Sequence, residues 1–113
     1  MKLSYEGIGA WSATFTTEDA VEGQVVKMSS SGTVAKCSGG DGFCGVAGAV
    51  RGTVCGVQLG GLAEVSYSGD TAPAVGMAVL TADGSGGVCT AGSGQSYLVV
   101  SVDEAAGKCV IKL

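Results

Sequence analysis

A pattern of glycines and valines occurs twice in this chain. Residues 23–59 read GQVVKMSSSGTVAKCSGGDGFCGVAGAVRGTVCGVQL, and residues 76–113 read GMAVLTADGSGGVCTAGSGQSYLVVSVDEAAGKCVIKL. The landmarks recur in order: Gly23 with Gly76, Val26 with Val79, Gly32 with Gly86, Val34 with Val88, Phe43 with Tyr97, Cys55 with Cys109 and Leu59 with Leu113, at an offset of 53 or 54 residues. Each copy alternates short β-branched runs with glycine-rich turns. A unit this small does not cover its own apolar face, so two copies are expected to close into one barrel or sandwich.

Ten runs read as strands: Trp11 to Thr17, Gln24 to Ser29, Thr33 to Cys37, Phe43 to Arg51, Val54 to Leu59, Ala63 to Tyr67, Met77 to Ala82, Val88 to Ala91, Tyr97 to Asp103 and Lys108 to Leu113. The breaks between them are turn chemistry, such as SSSG at 29–32, SGGDG at 38–42 and ADGSGG at 82–87. No apolar pattern holds a 3.6-residue period for three turns, so no helix is expected. The fold class is therefore all-β, a small barrel or sandwich built from two pseudo-repeats. The domain reading is a flexible N-terminal arm over 1–10 and one β domain over 11–113, with the arm and the Trp11 strand outside the repeats 23–59 and 76–113.

Strand facing follows from alternation. In the run beginning at Tyr97, Leu98, Val100 and Val102 point one way and Tyr97 and Val99 the other, so both faces read as dry. Such a strand is central or lies at a subunit interface. Gly45 and Gly48 in the matching run point to bulges or close backbone approach. Cys55 and Cys109 sit at matching places on apolar faces and read as small core hydrophobes, with a disulfide between them as the alternative.

Composition narrows the function classes. Charged residues make up 14% of the 113 residues, against about 25% in ordinary domains, and mean hydropathy is positive. Part of the surface is expected to be buried against neighbours in an oligomer or a larger assembly. The net charge is −4 and the six basic residues form no run, so no nucleic-acid partner is expected. No uncharged stretch is long and unbroken enough for a membrane helix, and Met1-Lys2 is not followed by an apolar leader. The chain is expected to be made in the cytoplasm without membrane attachment.

Catalytic patterns are not found. The chain has no histidine, which removes the usual general base and the commonest metal partner. There is no phosphate-binding glycine loop and no nucleophile elbow. Glu64, Asp70 and Asp83 are the carboxylates a small hydrolase would use, but one Trp and three Tyr do not build an aromatic-lined cleft. Asp41 and Asp83 sit in single glycine-rich loops and read as turn residues, not calcium repeats. No enzyme, cofactor or metal is expected.

An aromatic early strand is followed by EGQVV (Glu22 to Val26), GTVA (Gly32 to Ala35), a GDGFCGVAG run (Gly40 to Gly48) and CGVQLGG (Cys55 to Gly61). VGMAVL (Val75 to Leu80), GGV (Gly86 to Val88), YLVV (Tyr97 to Val100) and a final VIKL come after. This order resembles the tailed-phage capsid cement or head-decoration proteins, including small prophage β proteins found beside major capsid genes. The resemblance implies a β-barrel-like fold, trimers, the major capsid protein as partner and a place on the virion's outer surface. The five cysteines depart from that pattern. On this reading the arm over 1–10 orders on binding, and Trp11 and Phe15 anchor it, with Tyr97 and Val99 as further capsid or subunit contacts. The rival reading is a stand-alone carbohydrate- or protein-binding β module, a monomer with an exposed aromatic groove.

Overall fold

A computed structural model describes residues 10–113. The arm expected over 1–10 thus lies, save Ala10, outside the described residues. Ten strands follow in chain order: β1 (Trp11–Thr17), β2 (Val25–Ser30), β3 (Thr33–Lys36), β4 (Gly45–Arg51), β5 (Val54–Gly60), β6 (Leu62–Ser66), β7 (Gly76–Ala82), β8 (Val88–Thr90), β9 (Ser96–Asp103) and β10 (Lys108–Lys112). Among the described residues there is no helix. Each expected strand is present, with ends shifted by a residue or two.

The first five strands close a barrel in the order β1-β3-β2-β4-β5, and the last five form a sheet in the order β6-β10-β9-β7-β8. These are the same topology. β1 meets β3 in parallel at Thr16–Thr33 and Thr17–Val34, and the second sheet is drawn round by the parallel bridge Tyr67–Val88. The duplication is thus larger than the sequence landmarks indicate. β1, read from the sequence as outside the repeat, is the counterpart of β6. Phe15 opposes Cys55 as Val65 opposes Cys109. The matching is hidden in sequence because strand equivalence here needs only an inward apolar residue at the right register.

Turn glycines repeat with the strands. Gly32 and Gly86 have φ of 69° and 97°, and Gly52 and Gly107 have 62° and 67°. A side chain at these turns would be strained, so the hairpins require glycine. Each copy also carries a one-residue bulge in the same place. On β4 it falls between Ala47 and Val50, and on β9 it falls at Val100. The expectation for Gly48 holds there. At Gly45 a Cβ would press on the Gln58 carbonyl and would stand 2.8 Å from Val57 Cγ1. That is the close backbone approach expected of it.

Two cores result. The first barrel is filled by Val26, Val34, Ala47, Cys55, Val57 and Ala20, with Phe15 packed against them. The second interior holds Leu80 and the counterparts Val88, Val99, Cys109, Ile111 and Val65. It also takes Val25, Phe43 and Val46 from the first half, so the halves share one core. The backbone joins them too: Val25 N–H donates to Gly86 O at 3.0 Å, Gly40 N–H to Ala82 O at 2.8 Å and Ala82 N–H to Asp41 O at 2.8 Å. Cys55 and Cys109 are both buried, but in different cores, and all five thiols are free. The alternative of a disulfide between them is set aside for that reason.

Candidate functional site

Alternation along β1 sends Thr17 and Phe15 toward the barrel interior. The pairing with β5 slips between Trp11 and Ser12, so that Trp11 meets Gly60 and Ser12 meets Gln58. The slip carries Trp11 off the barrel's end, where its indole lies over Gly60 and leaves no room for a Cβ there. Its exposure is 59%. Gln58 braces this corner, since its Nε2 donates to Gly60 O at 3.0 Å and to Leu62 O at 2.9 Å.

The four contact residues chosen from the sequence therefore separate. Trp11 is open to a partner and Phe15 is half-buried against the first core. Tyr97 and Val99 are buried in the second core, and offering them as contact residues is corrected here. The cause is strand facing: Tyr97 and Val99 share the inner face of β9. The Tyr97 ring stacks on Phe43 with centroids 4.8 Å apart and planes at 10°. Its hydroxyl donates to Phe43 O at 3.1 Å. Tyr97 fastens the two halves instead of reaching outward.

The outer face of the second sheet carries what was missed. Met77 on β7 opposes Leu98 on β9, Leu98 opposes Lys112 on β10, and Lys112 opposes Leu62 on β6. Opposed residues share a face, so these four form one row across the sheet. Met77 is 69% exposed and Leu98 39%. Together with Gln95, Ser96, Lys112, Leu113 and part of Tyr97 they line a shallow hollow of about 290 Å³. The sequence signal was the alternation itself, which already set Leu98 opposite in facing to Tyr97. What it did not show was that only one of the two faces would be covered.

A second, more polar depression of about 410 Å³ lies on the first barrel, lined by Thr16, Glu18, Asp19, Ser29, Ser30, Thr33, Val34 and Ala35. Asp19 is held by the Lys36 N–H, which donates to its Oδ1 at 3.1 Å.

The two aspartate loops behave as turns, as read from sequence. Asp83 Oδ1 accepts from the Ser85 and Gly87 N–H groups at 2.7 and 3.1 Å, and Ser68 Oγ donates to Oδ2 at 2.7 Å. Asp41 Oδ2 accepts from Ser38 N–H at 2.9 Å and from Lys27 Nζ at 2.7 Å. The Lys27 hydrogen bond, then that of Ser38, holds the Asp41 carboxyl below the usual carboxylate range. Burial, then the neighbouring Glu64 charge, pushes the Cys109 thiol up to about 11. Burial, then Asp41, pushes Cys37 up to about 11 as well. Thiols so raised stay protonated near neutral pH and are poor nucleophiles and poor metal ligands. Among the described residues no three His, Cys, Asp or Glu side chains are grouped as a metal site would need.

The chemistry on offer at these surfaces is burial. Apolar area removed from water contributes about 25 cal/mol per Å², so a contact that covers Trp11, or Met77 with Leu98, gains a few kcal/mol at most per site. No known protein-family model matches the chain, and no curated protein matches it in sequence.

Proposed function

We propose that this chain is a structural protein of a tailed-phage particle that decorates or cements the outer capsid surface, with the major capsid protein as its partner. The observation that carries the reading is the apolar exterior. Seven large apolar side chains are exposed among the described residues, in both halves of the chain: Trp11, Val21, Met28, Val54, Val75, Met77 and Leu98. A domain with few charges and scattered apolar contacts suits extended, repeated attachment to a shell better than turnover in one pocket. Each contact is weak, and an oligomer spanning several capsid subunits gains by avidity. The resemblance over residues 11–113 supplies the identity of the shell. In this reading the chain has no catalytic role, and Trp11 is its anchor, as aromatic side chains often are at interfaces.

The test is copy number. Virions from a host carrying the gene are purified, and this chain is quantified against the major capsid protein by mass spectrometry. A fixed ratio near the capsid subunit count supports decoration. Absence from particles, with the protein abundant in the cell, refutes it. Trp11→Ser should lower occupancy on purified shells while leaving the far-UV spectrum unchanged.

The exposed indole of Trp11 also favours a second reading, a stand-alone glycan-binding module in which Trp11 stacks on a sugar ring. Saturable glycan binding that is lost in Trp11→Ser, by a protein absent from virions, would select it.

A further inference from the structure

We propose that residues 1–9 of the chain fold back over the outer face of its own second sheet, with Tyr5 on Leu98 and Leu3 on Met77. The seat is intramolecular and replaces the capsid contact that the resemblance implied for this segment. It leaves Trp11 free as an anchor, so it stands whether or not a capsid is the partner.

The face is a row across four strands. Leu62 on β6, Lys112 on β10, Leu98 on β9 and Met77 on β7 oppose one another in turn. Val99 and Ile111, of the opposite facing on the same strands, are fully buried. Met77 and Leu98 are 69% and 39% exposed, so nothing among the described residues covers the pair. Covering it would contribute about 25 cal/mol per Å² of apolar area removed from water.

The described chain begins at one end of this row. Ala10 packs against Gly61, where a Cβ would stand 2.6 Å from the Ala10 Cα. Gly61 directly precedes Leu62, the first residue of the row. Gly61 O also accepts from Leu113 N–H at 2.9 Å, and Leu113 lines the same hollow as Met77 and Leu98. The residues before Ala10 therefore start beside the hollow.

Their length suffices to cross it. An extended chain advances about 3.3 Å per residue, so Leu3 can lie up to about 23 Å from Ala10. From β6 across β10 and β9 to β7 is about 14 Å, at about 4.8 Å per strand. A second copy is not needed to bring this segment to the face.

Its sequence also fits. Met1, Leu3 and Tyr5 alternate with Lys2, Ser4 and Glu6. An extended course turns the apolar set down onto the sheet and the polar set to water. Gly7 and Gly9 give the backbone freedom to turn from β1 onto the face. Lys112, in the middle of the row, makes no ion pair among the described residues. Glu6 brings a carboxylate within reach of its long side chain.

The test is a peroxide pulse on the whole chain, with methionine oxidation read peptide by peptide by mass spectrometry. Met28, 47% exposed on β2, is the internal reference. By the exposure of the described residues alone, Met77 would oxidise faster than Met28. With the segment seated, Met77 should oxidise more slowly than Met28, and equally so on dilution. Leu3→Ser with Tyr5→Ser should lose that protection while Met28 is unchanged. Ser4→Lys, on the polar side of the alternation, should keep it. Far-UV spectra check folding, and Leu3→Ser alone replaces the pair should the pair fail to fold. Four results overturn the proposal: Met77 oxidising faster than Met28 in wild type, protection that survives the serine variant, protection lost in Ser4→Lys, or protection that fades on dilution, as it would were the segment supplied by a second copy.

Discussion

Tyr97→Phe isolates the joint between the halves. The substitution keeps the ring stacked on Phe43 and removes only the hydroxyl that donates to Phe43 O at 3.1 Å. A typical hydrogen bond contributes about 0.5–1.5 kcal/mol net, and a buried carbonyl left without its donor adds to that cost, so the loss should be about 1–2 kcal/mol. With an unfolding entropy of roughly 2.1 cal/mol/K per residue, a chain of this length should lose about 4–8 °C in Tm. Tyr67→Phe is the control. Tyr67 packs at the edge of the same core, and its hydroxyl makes no hydrogen bond among the described residues. It should melt like wild type. Calorimetry on the three proteins reads both Tm and cooperativity. Because Val25, Phe43 and Val46 are built into the second core, wild type should unfold in one transition with calorimetric and van't Hoff enthalpies equal. Two separated transitions in wild type, or a Tyr97→Phe melt that overlays it, would refute the reasoning.

Gly45→Ala should destabilise by about 1–3 kcal/mol in denaturant titration through overpacking, since its Cβ meets the Gln58 carbonyl and Val57; Gly56→Ala, with open space at that point, should cost far less. Val99→Asp places a charge in a fully buried site and should leave no folded protein, whereas Val100→Asp, at the half-buried bulge, should fold; circular dichroism separates the two. Asp41 has a folded pKa below its unfolded value, so its contribution is present above the unfolded value of about 3.9 and fades as pH falls through the lower folded one. Asp41→Asn should therefore be less stable than wild type at neutral pH and converge with it in strong acid, as read by melts across pH. Cys55 and Cys109 should resist a thiol reagent at about pH 8 until denaturant is added, when all five cysteines titrate.

The ten strands were legible because each needs only local information: alternation within the strand and a glycine or aspartate turn at its ends. Partnership is not local, and there the sequence misled in an instructive way. Phe43 and Tyr97 stand out as matching aromatics at the repeat's offset, yet register makes Gly45 the counterpart of Tyr97, since Val46 opposes Gln58 as Leu98 opposes Lys112. The two aromatics are not equivalent; they stack on each other across the joint. The exchange of Gly45 for Tyr97 runs with others in the second interior: Val99 for Ala47 and Ile111 for Val57. The second interior therefore carries larger residues at these places. Its parallel closure shrinks to the single bridge at Tyr67 and Val88, while the first barrel closes over two pairs. The opening is filled by Phe43, Val25 and Val46 from the first half. Contact residues were the least legible for a related reason. Trp11, Leu98 and Val99 are all apolar in strands, and which is exposed depends on a register slip at Trp11 and on which face the other half covers.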